Sequence, residues 1–299
     1  MRNLIDRIES GEILVGDGAM GTMLIQEGLK AGECPEMINL EKPQILEKIA
    51  RLYHQAGADI IQTNTFGGSP LKLAQYSLED KTEKINAAAV RAARRVAGAG
   101  TYVSASCGPC GRLLKPYGDT DSEEVYNCFK RQIRALVAEG VDMICIETMT
   151  DLTEAALAIK AAKSVSQSTP VAATMTFDPT PNGFYTIMGI GIEQAATGLA
   201  DAGADIVGSN CGNGIENMIK IAEEFKRQTP LPVMIQSNAG LPVMKGESPV
   251  YTETPEFMAE GCKKLLKIGI SIIGGCCGTT PNHIAAFRKA VDDFDKSGK

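Results

Sequence analysis

Eight short runs rich in apolar and β-branched residues alternate with longer segments of helical period along the whole chain. Alternation of this kind predicts parallel βα units, because each strand must return to the same edge of the sheet through a helix. The predicted strands are ILVGDGAM from Ile13, DIIQTNTF from Asp59, TYVSASCG from Thr101, MICIETMT from Met143, VAATMTF from Val171, DIVGSNCG from Asp205, VMIQSNAG from Val233 and SIIGGCCG from Ser271.

The connections from helix to strand share one sequence pattern. A helix end made of small residues is followed directly by an apolar strand, as in AGADI and AGADIV. Glycine is the usual left-handed stop of a helix. Eight such units predict an α/β fold, a single (β/α)8 TIM barrel that forms one domain over residues 1–299. Three stretches with Gly and Pro, at 108–118, 178–191 and 238–254, follow strands and are expected to form loops at the active face.

Composition narrows the classes of function. The chain is 44% hydrophobic and 22% charged, which suits a large buried core. A net charge of -6 with interspersed Lys and Arg argues against a nucleic-acid partner. Acids occur before any long apolar stretch, no run reaches membrane-spanning length, and the nine cysteines are an odd number. We therefore expect a cytoplasmic protein with reduced thiols and no membrane partner.

Polar side chains stand at the carboxyl ends of the predicted strands, where the active sites of barrel enzymes lie. A role in helix capping or turns is an equal alternative for Asn64, Ser106 and Thr174. Asp17 and Glu147 favour a functional interpretation, because an acid at a crowded barrel mouth needs a partner. The full set is Asp17, Asn64, Ser106, Cys107, Glu147, Thr174, Thr176, Asn210, Cys211, Asn238, Cys276 and Cys277.

The cysteines divide into two groups. Cys211 ends the sixth predicted strand, and the adjacent Cys276 and Cys277 end the eighth. Three thiolates at two strand ends predict a zinc site with one open position, and glycines beside the pair allow both thiols to face one ion. Inert buried thiols are the main alternative, and this is the interpretation given to the rest, which are Cys34, Cys128, Cys145 and Cys262.

The stretch CGPC, Cys107 to Cys110, matches a thioredoxin-like redox motif. That chemistry requires the motif to open a helix, whereas here it runs into the loop-like GRLLKPYGD. A peripheral pair of thiols is therefore favoured over a redox role.

Taken together, DGAMGT, NTF, ET, GSNCG, SNAG and GGCCGTTPNHI resemble the motifs of the homocysteine S-methyltransferase family. The chain is similar to the homocysteine-binding domain of cobalamin-dependent methionine synthase and to betaine-homocysteine methyltransferase. The resemblance covers essentially the whole chain. It implies a zinc-dependent barrel that methylates the thiol of homocysteine to give methionine.

The resemblance also implies which residues act. The zinc ligands fall on Cys211, Cys276 and Cys277, the same three thiols chosen above. The homocysteine contacts fall on the turn Asp17, Gly18 and Ala19 and on Glu147. The two acids are expected to hold the ammonium group while backbone N–H groups of the turn bind the carboxylate. Asn238 is expected either to fill the open zinc position or to contact the amino acid.

The methyl donor is less clearly specified. Ile215 stands where the family pattern leads us to expect proline, and CGPCG replaces a GPTG type of turn, both on loops that could meet the donor. We expect methylcobalamin, a methylcorrinoid, carried by a separate corrinoid protein or cobalamin module. The chain is then either a fragment or a free-standing enzyme, because 299 residues leave no room for those modules.

Betaine and S-methylmethionine remain alternative donors. Betaine binding is best served by aromatic faces and the chain has no Trp, although Phe66, Tyr117 and Tyr185 lie near strand ends. A barrel for a phosphorylated substrate without zinc, with phosphate at the Gly-rich segment after strand eight, is a second class. A silent zinc-holding or corrinoid-binding module is a third.

Overall fold

The computed structural model describes residues 2–245 and 248–296. The chain forms α1 (Leu4–Glu9), β1 (Leu14–Val15), α2 (Met20–Gln26), α3 (Ile38–Glu41), α4 (Pro43–Gln55), β2 (Ile60–Gln62), α5 (Pro70–Leu73), α6 (Thr82–Val96), β3 (Tyr102–Cys107), α7 (Ser122–Ala138), β4 (Met143–Met149), α8 (Leu152–Val165), β5 (Val171–Met175), β6 (Asp178–Thr180), β7 (Gly183–Tyr185), α9 (Ile192–Ala202), β8 (Ile206–Asn210), α10 (Ile215–Gln228), β9 (Val233–Ser237), β10 (Val243–Lys245), β11 (Ser248–Val250), α11 (Pro255–Ile268), β12 (Ile272–Gly275) and α12 (Pro281–Lys296).

Eight of these strands form one parallel sheet in the order β1-β12-β9-β8-β5-β4-β3-β2. The sheet closes on itself, because Gly16 bridges to Ile60 in parallel. Two backbone bonds hold the closure: Asp17 N–H donates to Ile60 O at 3.0 Å, and Asp59 N–H donates to Val15 O at 2.7 Å. Each predicted strand coincides with one of these eight, so the predicted TIM barrel is confirmed.

The lower half of the barrel interior is apolar. Its side chains come from the amino-terminal halves of the strands and form one buried cluster with Leu4 and Ile8 of α1, which closes the bottom of the barrel. This short helix, capped by Asn3, was not predicted from the sequence. The strand residues of this cluster include Leu14, Ile60, Tyr102, Met143, Ala172, Ile206, Met234 and Ile272.

The next inward positions of the strands are small or polar. Side chains alternate between the two faces of a strand, so the residue two places after each apolar position points into the same interior. Three of these positions are Gly16, Gly208 and Gly274, and two are the glutamines Gln62 and Gln236. The upper interior therefore has room for a cavity.

The outer face of the barrel carries α4 and α6–α12, whose apolar sides bury a second, larger cluster against the outward side chains of the strands. The three predicted loop stretches all follow barrel strands. Two of them contain antiparallel hairpins, β6–β7 and β10–β11, which were not predicted. Within the described residues, no helix combines the length and the apolar character needed to cross a membrane.

Candidate active site at the barrel mouth

Three cysteine side chains meet at the carboxyl ends of β8 and β12. The Sγ atoms of Cys211, Cys276 and Cys277 all lie within 4.8 Å of one another. Cys211 Sγ and Cys277 Sγ are 3.8 Å apart. Two sulfurs on one tetrahedral zinc, each at about 2.3 Å, are separated by about 3.8 Å. Among the described residues, this is the only group of three or more His, Cys, Asp or Glu side chains that could hold a metal ion.

The backbone leaves regular strand geometry at Cys211 and again after β12. Cys211 has φ of +60°, a left-handed conformation that costs a non-glycine residue free energy. Cys276 N–H still donates to Ser237 O at 2.7 Å, and the chain then turns at Gly278, whose φ is +81°. The turn after β12 therefore brings two successive thiols to one side, which a continuing strand would not allow.

The three thiols share hydrogen bonds. Contacts with Cys211 and Cys276 lower the pKa of the Cys277 thiol, and contacts with Cys211 and Cys277 raise the pKa of the Cys276 thiol well above its ordinary value. Three soft sulfur donors thus lie together. Such a donor set fits zinc better than a hard cation such as magnesium.

Asp17 follows β1 and is only 1% exposed. Its Oδ2 accepts a hydrogen bond from Gln62 N–H at 2.8 Å. Its Oδ1 is buried and has no partner among the described residues. Burial, helped by the charge of Glu147, raises the pKa of Asp17 to about 8. A buried carboxyl with a free oxygen is suited to receive a cationic ligand.

Glu147, at the end of β4, is the second buried acid. Ser106 Oγ donates to its Oε1, and Asn210 Nδ2 donates to its Oε2 at 3.3 Å. Burial raises the pKa of Glu147 to about 7. The next residue, Thr148, has φ of +61°. Its N–H donates to Asn210 Oδ1 at 2.7 Å, which fixes the strand end that carries the acid.

Asn210 connects Glu147 to the thiols, a role that the sequence did not reveal. Its Oδ1 also accepts from Thr174 Oγ1 at 2.7 Å, and its Nδ2 lies 3.9 Å from Cys276 Sγ. Ser106 and Thr174 therefore support site residues and do not cap helices. Asn64 Nδ2 donates to Asn39 Oδ1 and to the Pro35 carbonyl, which supports the loop there, and Asn64 also lines the cavity described below.

The turn after Asp17 is tightly packed. A Cβ on Gly18 would lie 2.7 Å from Thr279 Oγ1 and 2.9 Å from the Tyr53 ring, so only glycine fits without displacement. Ala19 N–H donates to Thr279 Oγ1 at 3.1 Å and is not free for a ligand. Neighbouring N–H groups lie at the start of α2, which has no side-chain cap.

A cavity of about 260 Å³ lies between the thiols and Glu147. The predicted residues that line it are Gly18, Ala19, Asn64, Ser106, Glu147, Cys211, Cys276 and Cys277. Asp17 precedes Gly18 and is not itself among the lining residues, whereas Glu36, Gln62 and Gln236 line the cavity and were not predicted. A larger groove of about 960 Å³ runs between α6 and α7 on the outer face. That groove contains no cysteine and no buried acid, so the chemistry lies at the mouth.

Comparison with known proteins identifies the family. The sequence profile of homocysteine S-methyltransferase matches residues 14–291. The chain belongs to the homocysteine S-methyltransferase family. It is 33% identical over 311 residues to methionine synthase of Mycobacterium tuberculosis (strain ATCC 25618 / H37Rv). The matched region covers 98% of this chain and 26% of that protein. The match to methionine synthase of Mycobacterium leprae (strain TN) is 32% over 296 residues, covering 93% and 24%.

The chain thus spans about a quarter of the length of these curated relatives. Among solved structures, it is similar to the homocysteine methyltransferase MmuM from Escherichia coli. The metallated form of MmuM has a TM-score of 0.79 at 22% identity and covers 96% of this chain and 99% of that one. The apo form has a TM-score of 0.73 at 23% identity, covering 97% and 98%. These likenesses confirm the barrel fold of the family.

Asn238 lies beside the cavity but is not among the residues that line it. Its N–H donates to Asn213 O at 3.0 Å, and its buried Oδ1 has no partner within the described residues. The next residue bonds the thiol segment, since Ala239 N–H donates to Cys277 O at 2.9 Å. A role for Asn238 at the metal or the amino acid stays a prediction.

Neither of the CGPC thiols lines the cavity. Cys107 ends β3 and Cys110 lies in the following loop, and both are fully buried. Burial raises the pKa of both thiols. The remaining cysteines, Cys34, Cys128, Cys145 and Cys262, are buried as predicted.

Proposed function

We propose that this chain is a zinc-dependent enzyme that transfers a methyl group to the thiol of homocysteine, giving methionine, with methylcobalamin on a separate protein or module as the donor. The observation that carries the proposal is one cavity that joins a cluster of three cysteines to the buried acid Glu147, with the buried Asp17 directly before the lining residue Gly18. The thiols suit a metal that binds the substrate sulfur, and the acids suit an ammonium group. Homocysteine contains both groups.

Cys211, Cys276 and Cys277 would hold the zinc, with Asn238 Oδ1 as a candidate for the remaining position before substrate binds. Bound zinc would lower the pKa of a coordinated thiol, which is ordinarily about 8.5 for a cysteine, and would keep the sulfur nucleophilic at neutral pH. Asn210 lies near Cys276 and bonds Glu147, so it would fix the position of the thiol cluster relative to Glu147.

The acids of the cavity orient the amino acid. In the proposed complex, Asp17 Oδ1 and Glu147 would accept hydrogen bonds from the substrate ammonium, and this contact would favour the ionised form of both carboxyls. The substrate carboxylate then lies toward the start of α2, where Met20 and Gly21 line the cavity. This orientation directs the substrate sulfur toward the three cysteines.

In the reaction, the sulfur lone pair attacks the methyl carbon in line. A new S–C bond forms while the bond from the methyl group to the donor breaks, and that electron pair stays with the donor. The thiol proton would pass to solvent water before the transfer. The chain contributes orientation and exclusion of water, since holding the reacting atoms in line removes most of the entropic barrier.

Exposed apolar side chains around the mouth support a donor carried by a protein. We call six of them the mouth rim. Five lie on loops after β2, β3, β7 and β9, and the sixth lies in the hairpin strand β10; they are Phe66, Leu113, Tyr117, Ile187, Leu241 and Met244. An exposed apolar ring around a site is typical of a docking surface. The relatives named methionine synthase extend well beyond the region matched by this chain, which also supports a corrinoid module.

Small-molecule donors receive less support from the site. Of the three aromatic residues near strand ends, only Phe66 lines the cavity. A cage for the quaternary ammonium of betaine requires several aromatic faces. S-methylmethionine is a sulfonium donor and remains an alternative to test beside betaine. A phosphorylated substrate is disfavoured, because the described residues that line the cavity include no Lys, Arg or His.

The test is zinc content together with methionine formation from homocysteine and free methylcobalamin. We expect about one zinc per chain in the wild type, and loss of both metal and turnover in Cys276→Ser. The matched control is Cys262→Ser, a thiol buried in α11, which should retain both. Betaine and S-methylmethionine are assayed in parallel to identify the donor.

Each outcome decides a separate point. Zinc-free protein that still turns over, or Cys276→Ser as active as the wild type, would disprove the metal mechanism. Zinc binding without turnover from any of the three donors would leave a silent zinc-holding module. Turnover with betaine or S-methylmethionine but not with methylcobalamin would reject the corrinoid donor alone.

A further inference from the structure

Gln236 is a buried polar residue that the proposed chemistry does not yet use. It is the fourth residue of β9, it is 2% exposed, and it lines the cavity at the mouth. Its Oε1 is buried without a hydrogen-bond partner in the described structure. A buried acceptor without a partner costs about 1–3 kcal/mol, so it calls for a ligand or water that completes it.

Two glycines on neighbouring strands make room for the side chain. Gln236 pairs with Gly274 of β12, and a Cβ on that glycine would lie 3.2 Å from Gln236 Cγ. A Cβ on Gly16 of the closing strand would lie 4.0 Å from Gln236 Nε2. The amide thus lies in the barrel interior close to Gly16, the residue that precedes Asp17.

The chemistry of the neighbours indicates which ligand group would complete Gln236. Asp17 Oδ1 is another buried oxygen without a partner among the described residues, and the charge of Glu147 adds to burial in raising the pKa of Asp17. Glu147 lines the same cavity as Gln236. All three residues offer acceptor oxygens. An ammonium group carries three donors and no acceptor, so three acceptors match it completely.

The uncharged amide is also the suitable third group. Asp17 and Glu147 are both buried and both have raised pKa values, so a third carboxyl would be still harder to ionise beside them. A carboxamide oxygen adds an acceptor without adding repulsion. The site can then hold one positive charge against two negative ones.

We propose that Gln236 is a specificity-determining residue that accepts the third hydrogen bond of the substrate ammonium, so that the enzyme selects amino thiols over simple thiols. This inference rests on the proposed function, since it assigns a further contact to the same homocysteine site. It makes Gln236 responsible for recognising the amine and leaves the thiol cluster unaffected.

The test compares two ligands on zinc-loaded protein by calorimetry: homocysteine and 4-mercaptobutanoate, which lacks the amine. Gln236→Met removes the amide at similar length. We expect it to weaken homocysteine binding about tenfold to a hundredfold, the range for a hydrogen bond to a charged group, and to leave 4-mercaptobutanoate within about twofold. The ratio of kcat/KM for the two thiols should fall by the same factor.

Two further variants control the result. Gln132→Met removes another buried amide with an unpartnered Oε1, on α7 and outside the cavity, and should leave both affinities unchanged. Gln236→Glu keeps an acceptor oxygen and should restore at least part of the preference for homocysteine.

Equal weakening of both ligands by Gln236→Met, or no weakening of either, would overturn the inference and leave the proposed function standing. If wild-type protein binds homocysteine selectively without methylating it, the role of Gln236 in recognition is still measured while the proposed reaction fails. If wild-type protein binds neither ligand, both the inference and the proposed function are wrong.

Discussion

The two ends of the barrel interior are built from the same eight strands and differ in almost every physical property. At the lower end, apolar side chains interlock with α1 and exclude water. At the upper end lie two acids with raised pKa values, oxygens without partners, and two non-glycine residues with left-handed backbone, Thr148 and Cys211.

This difference separates stability from function within one closed sheet. Apolar burial contributes about 25 cal/mol for each Å² removed from water, so the lower end stabilises the fold. Unpartnered acceptors, buried acids and strained backbone each cost free energy in the absence of ligand. The upper end therefore requires the lower end for support, as expected for a site held on a rigid scaffold.

The largest expected effect tests whether the lower end is purely structural. Ile206→Ala deletes a fully buried side chain from the bottom layer. We expect the free energy of unfolding, measured by urea titration, to fall by about 2–5 kcal/mol because a cavity remains. The homocysteine affinity of the protein that stays folded should be unchanged within about twofold.

The control for that variant is Ile187→Ala, which truncates a side chain of the mouth rim that is 79% exposed. Its stability should change by less than about 0.5 kcal/mol. A large loss of homocysteine affinity in Ile206→Ala, under conditions where the protein is folded, would show that the two ends are not separable.

The second prediction concerns the pH dependence of the upper end. Burial raises the pKa of Asp17 from 3.8 to about 8, so the folded chain keeps a proton that the unfolded chain has lost between these values. Stability therefore falls as pH rises from about 4 to about 8, with each unit of difference in pKa equivalent to at most about 1.4 kcal/mol.

Asp17→Asn removes this titration. We expect the variant to match the wild type near pH 4 and to exceed its free energy of unfolding by a few kcal/mol at pH 8.5, while binding homocysteine more weakly. The measurement is urea unfolding of both proteins across that range without ligand. Parallel curves for the two proteins would contradict the assignment of a buried, costly carboxyl.

The sequence predicts the barrel and much of its site because both depend on local patterns. Strand runs and helix ends with small residues repeat along the chain, and the carboxyl ends of the strands place Asp17, Glu147 and the thiols on one face. The glycines beside Cys276 and Cys277 correctly indicated a departure from strand geometry.

Other features depend on contacts between distant segments. The role of Asn210 requires Ser106, Glu147 and Cys276 to lie side by side, and the position of Gln236 depends on glycines from two other strands. The helix α1 has only 6 residues, so its closure of the barrel follows from the sheet and not from its own periodicity. A glutamine at an inward strand position is the one signal that could have identified Gln236.

The smallest expected effect concerns CGPC, the motif that resembles a redox pair. Cys110 N–H donates to Glu154 Oε1 at 2.7 Å, and its thiol lies 3.8 Å from Arg112 O, so the loop is held by structural bonds. We expect a Cys107→Ala, Cys110→Ala double variant to keep methyl transfer within about twofold, because neither thiol lines the cavity and both have raised pKa values.

The number of thiols that react in the folded protein compares the mouth with the rest of the chain. Cys211, Cys276 and Cys277 are partly exposed at the mouth, whereas the other six cysteines are buried. Zinc-free folded protein should therefore react with a thiol reagent at these three sites, and all nine cysteines should react only after unfolding. Rapid reaction at Cys107 or Cys110 in the folded protein, or turnover that depends on redox state in the wild type but not in the double variant, would restore a redox role and place working chemistry outside the mouth.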